Sequence, residues 1–551
     1  MNNELLVRVR EWIAGDPDEG DRDVLQGLLD NDNEVELQRR FAAPLAFGTA
    51  GLRGPVMAGP SGMNRYTVRR ATQGVVAWLD QLGIEPSRGV VVGRDARHGS
   101  ELFNDEVVAV LVGAGVKVYE MPRPLPTPFV AYCVKALHAA AGIMITASHN
   151  PPGDNGYKLY GPDGSQIISP SDHVVERFAE SATSPAMGSR SSECHSFIGD
   201  DVIESYFEHF AQRFAVPGGS DLRVTYTALH GVGGESMMRL FSDAGYRCVG
   251  VVPSQFVPDG DFPTLPFPNP EEPGALDLAM QYADETGAAL VIANDPDADR
   301  LGAAVNAHGG WRILRGDEIG WLLASSLLDE MDNDLDLVAT SIVSSAMLEK
   351  MARRAHVAFT STLTGFKWIA RGDGVRTLRF GYEEALGFAV DPLVGDKDGM
   401  SAALALCRLA EELSHQGASL LDRLDDIERV FGVHAGGQVS LRVEGPHGLE
   451  AIRSCVDQLR NSPPTVLGGL QVTEVNDLAA GWHGLEPTDG VYLALGSMGR
   501  VVVRPSGTEP KVKAYLEVNL APDERRLAEQ RADANRYLVA LRDDVQALLA
   551  F

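Results

Sequence analysis

Gly89-Val-Val-Val-Gly-Arg-Asp95 is an apolar run that ends in a polar loop, and what surrounds it decides the fold. A helical stretch over about Leu102–Val112 follows, then Gly115 and a second apolar run, Val116–Tyr119. The same plan returns twice. Leu222–Ala228 precedes a helix near Ser236–Ser242, then Gly245 and Arg247–Val252. Leu337–Ile342 precedes a helix near Ala346–Arg354, then Val357–Thr360. β-rich runs alternating with helices across small-residue breaks indicate βαβ units and mostly parallel sheets. The expected fold class is α/β, with three similar mixed-sheet α/β domains.

From Gly436 onward the pattern changes to short strand-like runs at Gly436–Val443, Gln471–Val475, Gly490–Leu495 and Gly499–Val503. A helical end over Pro522–Leu549 closes the chain, which predicts a smaller α+β domain. Residues 1–40 read as two acidic helices, and Thr183–Ser196, rich in Ser and without periodicity, reads as a surface loop. The expected division is an N-terminal helical extension at 1–40, α/β domains at 41–215, 216–328 and 329–433, and an α+β domain at 434–551.

A chain of 551 residues is too long for one core. Its apolar and charged fractions, 44% and 23%, are those of an ordinary soluble protein. A net charge of −28 excludes the basic surface that nucleic acid or an anionic membrane would need. The five cysteines, Cys133, Cys194, Cys248, Cys407 and Cys455, lack metal-ligand spacing and suit a reducing compartment. The acidic start has no apolar signal segment, so the expected location is cytoplasmic.

Four loops carry candidate chemistry. Thr146-Ala-Ser-His-Asn-Pro-Pro-Gly-Asp-Asn-Gly-Tyr-Lys158 follows the apolar run Ala139–Ile145, and its prolines and glycines predict a tight exposed loop displaying the Ser148 hydroxyl. Asp295-Pro-Asp-Ala-Asp-Arg300 places carboxylates at i, i+2 and i+4, which repel one another unless a cation lies between them. Arg300 and Asn306 stand where a calcium-binding EF-hand loop needs Gly and Glu, so Mg²⁺ is the expected ion, with a solvated acidic turn as the alternative. Gly381-Tyr-Glu-Glu-Ala-Leu-Gly387 offers paired carboxylates to the hydroxyls of a sugar. Arg504-Pro-Ser-Gly-Thr-Glu-Pro510 combines a guanidinium, two hydroxyls and backbone amides into a phosphate cradle. Upstream, Phe47-Gly-Thr-Ala-Gly-Leu-Arg-Gly54 sets Arg53 in a Gly-rich turn. A nucleophile, a metal loop, a carboxylate pair and a phosphate cradle are the parts needed for metal-assisted phosphoryl transfer on a polyol.

In this order the loops resemble those of the α-D-phosphohexomutase superfamily over nearly the whole chain, at Thr146–Asn150, Asp295–Arg300, Glu383–Gly387 and Arg504–Thr508. Phe47–Gly54 and Thr364-Gly-Phe-Lys-Trp-Ile369 look most like its longer phosphoglucomutase/phosphopentomutase subgroup. The resemblance implies a four-domain, heart-shaped architecture with one active site where the domains meet. It implies that Ser148 carries the phosphoryl group and that Asp295, Asp297 and Asp299 hold Mg²⁺ together with an oxygen on Ser148. Arg53 and Lys158 would flank the transferring group, with Lys158 the better general acid/base. His149 joins the catalytic set as the neighbour of Ser148, although it is not an obvious base. Lys367, Glu383, Glu384 and Arg300 would bind substrate, while Arg504, Ser506, Gly507 and Thr508 hold the phosphate that does not react. Ala385 departs from the family, where Ser is common two residues after the first Glu, and that leaves the choice between gluco and manno epimers open.

The expected activity is interconversion of hexose 1- and 6-phosphates, glucose before mannose, through a 1,6-bisphosphate, with glucose 1,6-bisphosphate as activator. The partner is a small phosphosugar, not nucleic acid or membrane, and the protein is a monomer or homodimer. Phosphopentomutase is the nearest alternative. A phosphatase with an Asp nucleophile in 295–299 and a non-catalytic sugar-phosphate scaffold are rivals of other classes.

Overall fold

Val90, Val91 and Val92 are all fully buried, as a strand covered on both faces requires. A computed structural model describes residues 3–48, 51–182, 185–307, 309–443, 448–505 and 511–550. The chain forms two compact units: Met1–Leu314 with Ala385–Glu411, and Arg315–Glu384 with Glu412–Phe551. Among the described residues no helix is long and apolar enough to cross a membrane.

The first unit opens with three helices, Asn3–Gly15, Glu19–Asp30 and Glu34–Arg40, one more than the composition suggested. The extra boundary is set by Asn33, whose side chain accepts a hydrogen bond from the Glu36 amide and restarts the helix. Leu5, Val9, Trp12, Leu25, Leu37 and Phe41 form their shared core.

Two sheets follow. The first contains β1 (Leu52–Pro55), β2 (Val90–Arg94), β3 (Val118–Glu120), β4 (Ala141–Ile145), β5 (Asp154–Tyr160) and β6 (His195–Phe197), in the order β1-β5-β4-β2-β3-β6. Its centre is parallel, whereas β5 runs antiparallel to both β4 and β1. The second contains β7 (Val224–Thr227), β8 (Val249–Val251), β9 (Leu290–Asn294), β10 (Leu301–Ala307) and β11 (Gly310–Ile313), in the order β11-β10-β9-β7-β8. Here too a parallel centre is extended by antiparallel hairpins.

The antiparallel strands β1 and β5 of the first sheet correct the sequence reading. The exposed loop expected up to Lys158 stops at Gly153, because β5 begins at Asp154 and Lys158 lies inside a buried strand. Arg53 is on edge strand β1, opposite Gly156, and not in a turn. The Thr183–Ser196 loop gives its last residues to β6, while Thr183 and Ser184 lie outside the described residues.

In the second unit β12 (Asp336–Ser341) pairs in parallel with β13 (Ala358–Thr362) and with β14 (Thr377–Glu383). A five-stranded antiparallel sheet joins Val433–Arg442, Lys511–Leu520, Gly499–Pro505, Val491–Ala494 and Glu474–Asp477 in that order. Helix Leu527–Leu548 covers it through Ala534, Leu538, Leu541 and Val545. Gln471–Val475, expected as one strand, is divided between Leu470–Gln471 and Glu474–Asp477.

Candidate active site

The β4–β5 and β9–β10 hairpins hold the candidate residues of the first unit. Ile145 and Tyr157 are paired across the first hairpin, and Asn294 and Leu301 across the second. Each antiparallel turn projects a short loop, which is how residues far apart in sequence meet. Ser148 Oγ donates to Asp295 Oδ2 at 2.7 Å. Lys158 Nζ donates to Asp297 Oδ2 at 2.7 Å and Asp299 Oδ2 at 2.6 Å.

Ser148 is 1% exposed, so its hydroxyl is buried against the acidic loop and not displayed to solvent as the turn residues suggested. Its φ of 53° is left-handed, a conformation that costs a non-glycine residue about 1–3 kcal/mol and must be held by its surroundings. Thr146 Oγ1 accepts the Ser148 amide at 2.8 Å. His149 Nδ1 is 3.2 Å from Ser148 Oγ, and burial, reinforced by Arg300 and Arg53, keeps the ring well below its ordinary pKa and neutral. Arg53 Nη1 donates to Asn150 Oδ1 at 3.2 Å. Gly156 opposite it is required, because a Cβ there would stand 3.0 Å from Arg53 Cγ and 2.5 Å from the Thr146 carbonyl.

The three aspartates are fully buried, and one oxygen from each lies within 4.8 Å of the others. Burial, then Asp297 and Asp299, pushes the Asp295 carboxyl up to about 8. Asp297 and Asp299 move the other way. Burial raises both, but Lys158 outweighs it, assisted by Thr127 at Asp297 and by Lys397 at Asp299. Asp297 Oδ1 and Asp299 Oδ1 are buried and accept no hydrogen bond among the described residues. An all-oxygen set with two such orphaned acceptors fits a hard divalent cation.

Two groups here escaped the sequence reading. Thr127 donates to Asp297 Oδ2 at 2.5 Å from the start of helix Thr127–Ala136, whose N-terminal end favours the negative charge. The run Pro124-Leu-Pro-Thr-Pro128 is a helix-start signal that could have marked it. Lys397 Nζ lies 3.0 Å from Asp299 Oδ2. Its only local signal is the charged run Asp396-Lys-Asp398.

The second unit holds Glu383 and Glu384 of the third loop and Arg504 of the fourth. Ser344 Oγ donates to Glu384 Oε2 at 2.9 Å and Ser341 Oγ to the same oxygen at 3.3 Å. Burial, followed by Glu383 and Asp317, raises Glu384 to about 7. Glu383 ends β14 and is buried. Lys367 is half-buried on the short helix Phe366–Ile369, with its carbonyl accepting from Arg371 at 2.6 Å. Arg504, next to last in its strand, is close enough to Glu384 to feel its charge, and burial lowers its pKa. Its Nε is buried without a hydrogen bond among the described residues. Ser506, Gly507 and Thr508 lie outside the described residues.

Four family models match the chain in order. Residues 44–186, 204–310 and 315–430 match the family models for alpha/beta/alpha domains I, II and III of phosphoglucomutase/phosphomannomutase, and residues 467–534 match its C-terminal domain. A probable phosphomannomutase of Haemophilus influenzae is 39% identical over 494 residues, 89% of this chain and 98% of that protein. The phosphopentomutase of Mus musculus is 34% identical over 570 residues, 95% of this chain and 91% of that protein. In fold, the crystal structure of a putative phosphomannomutase from Thermus thermophilus matches with a TM-score of 0.67 at 23% identity, covering 90% of this chain and 99% of that one.

Proposed function

The chain belongs to the phosphoglucomutase/phosphomannomutase family and is a phosphosugar mutase, and on that premise we propose that it interconverts hexose 1-phosphate and hexose 6-phosphate through a phosphorylated Ser148. The observation that carries this reading is the Ser148 hydroxyl held at 2.7 Å from Asp295 beside two aspartates that share Lys158.

Ser148 Oγ gives its phosphoryl group to the free hydroxyl of the sugar monophosphate and recovers the other phosphoryl group from the resulting bisphosphate. Lys158 holds the proton exchanged with that hydroxyl, and its charge and that of Arg53 stabilise the transferring oxygens. Asp295, Asp297, Asp299 and an oxygen on Ser148 would hold Mg²⁺, which would supply Lewis-acid stabilisation there. His149, neutral, orients the hydroxyl. Arg300, whose amide donates to Asp295 Oδ1 at 3.0 Å, keeps the loop closed on itself and presents its side chain to substrate. Lys367, Glu383 and Glu384 bind the sugar, and Arg504 with Ser506, Gly507 and Thr508 binds the phosphate that stays in place. Glucose 1,6-bisphosphate primes Ser148.

Glucose is the preferred hexose and mannose the second. A pentose reading is supported by the mouse phosphopentomutase, which aligns over 95% of this chain. The test is a mutase assay with Mg²⁺ and a trace of glucose 1,6-bisphosphate, offering glucose, mannose and ribose 1-phosphates in parallel. Isomer should form without phosphate release, fastest from glucose 1-phosphate. A faster ribose reaction would replace the hexose assignment, and phosphate release without isomer would replace the mutase with a phosphatase.

A further inference from the structure

Arg97 lies in the loop after β2, outside every motif that pointed to chemistry, yet it is 4% exposed and its guanidinium is engaged almost entirely with the Ser148 loop. Nη2 donates to the carbonyls of Ser148 and Asn150, both at 2.6 Å. Nη1 donates to the carbonyl of Pro151 at 2.8 Å and, more weakly, to that of Asp154 at 3.3 Å. Asp95 faces the other edge of the group as an ion-pair partner, with Oδ2 3.4 Å from Arg97 Nε but not hydrogen-bonded to it, while Oδ1 accepts both the Arg97 amide and the Ser100 hydroxyl. Phe262, which follows β8 in the chain, presents its ring to the guanidinium at 4.7 Å.

We propose that Arg97 is a positioning residue for the phosphoryl-transfer step, clamping the carbonyl side of the Ser148 loop so that Ser148 is kept in its left-handed conformation with Oγ on Asp295. Three carbonyls of the loop and that of Asp154 at the start of β5 converge on one point beside a residue at φ 53°, which is costly because such dipoles repel and the ordinary φ range is lower in energy. The amides of Asn150 on Ala147 and Asp154 on Pro151 brace only the nitrogen side. One planar group with a fixed fork of donors answers all four at once, and a lysine ammonium, a single point with three donors, does not. Turning the Ser148 carbonyl away from Arg97 would swing the side chain on the same Cα, so the clamp and the 2.7 Å contact to Asp295 stand or fall together. Arg97 touches neither the acidic triad nor the hydroxyl, and its loss is therefore expected to act on the rate of transfer and not on sugar affinity.

This role rests on Ser148 being the phosphoryl carrier, and the experiment separates the two. Wild type, Ser148→Ala, Arg97→Lys and Phe262→Leu are each mixed with glucose 1,6-bisphosphate and Mg²⁺, and the rate of phosphoryl appearance at residue 148 is followed by peptide mass spectrometry beside steady-state kcat and KM. Arg97→Lys should label Ser148 and turn over roughly 100-fold more slowly, as a displacement near 1 Å costs, with KM within about two-fold. Phe262→Leu, which keeps the clamp but loses the ring face, should slow labelling by about 3- to 10-fold. Adding free guanidinium ion at low millimolar concentration to Arg97→Ala should restore part of the rate, a response that a general loss of fold would not give. Arg97→Lys labelling Ser148 at the wild-type rate would overturn the inference while leaving the mutase intact. So would wild-type labelling by Phe262→Leu if Arg97→Lys does not fold. A wild type that never labels Ser148 would sink the mutase reading and this inference with it.

Discussion

Asp297 and Asp299 in the first unit and Glu384 in the second answer the loss of solvent in opposite ways. Asp297 and Asp299 meet ammonium groups and stay below the ordinary carboxylate range, whereas Glu384 meets two serine hydroxyls and rises to about 7. Burial disfavours charge in both places, and the sign is decided by whether a cation is close enough to outweigh it. Asp295 shows the same rule inside the first unit: Ser148 donates to it, Lys158 bonds the other two aspartates instead, and it rises to about 8. The first unit thus sets its own ammonium groups on two of its three aspartates. The second carries a carboxyl near neutrality and a buried guanidinium edge without a partner among the described residues, which suits a surface completed by its ligand.

The comparison breaks most severely at Ser148. Replacing it by Ala should lower mutase turnover by roughly 10⁴- to 10⁶-fold, as loss of a nucleophile does, and a variant within ten-fold of wild type would remove the first unit's role as the chemical centre. Arg504→Ala sharpens the contrast from the other side. A ligand-completed surface should lose binding, with KM for the sugar phosphate rising about 10- to 100-fold while kcat changes by only a few fold. An unchanged KM would contradict it.

The smallest effect is a pH slope. Glu384 is raised from its ordinary 4.5 to about 7, so over that window the folded protein keeps a proton that the unfolded chain has lost. Its contribution to stability is complete below pH 4.5 and declines as pH rises to 7, by at most about 1.4 kcal/mol per pH unit. Melting curves from pH 5 to 8 should show Glu384→Gln with a flatter decline than wild type. Parallel slopes would mean that the two serines keep Glu384 ionised.

Local signals were legible and distant partners were not. Asp295, Asp297 and Asp299 announce themselves because their repulsion is written in five consecutive residues, and the valines of β2 announce a buried strand. In the sequence Lys158 reads as part of a loop, since Pro151, Pro152 and Gly153 obscure the strand that starts one residue later. Strand Lys511–Leu520 was passed over although Val512, Ala514, Leu516 and Val518 alternate inward, because Lys511, Lys513 and a buried Glu517 make it look like polar surface. Glu517 is buried against His434, Ser345 and Arg500, partners drawn from three other segments. Thr127, Lys397 and Arg97 share that property. Each acquires its role from residues 51 to 170 positions away, and no window of sequence contains such a contact.

Ser148, and no carboxylate, is the group held to carry the phosphoryl. The direct measurement is to react the protein with glucose 1,6-bisphosphate and Mg²⁺, quench, digest and locate the bound phosphate by mass spectrometry. The expected result is an acid-stable phosphoester on Ser148 that disappears when glucose 1-phosphate is added. A hydroxylamine-labile phosphate on Asp295, Asp297 or Asp299, or no bound phosphate while isomer still forms, would contradict it.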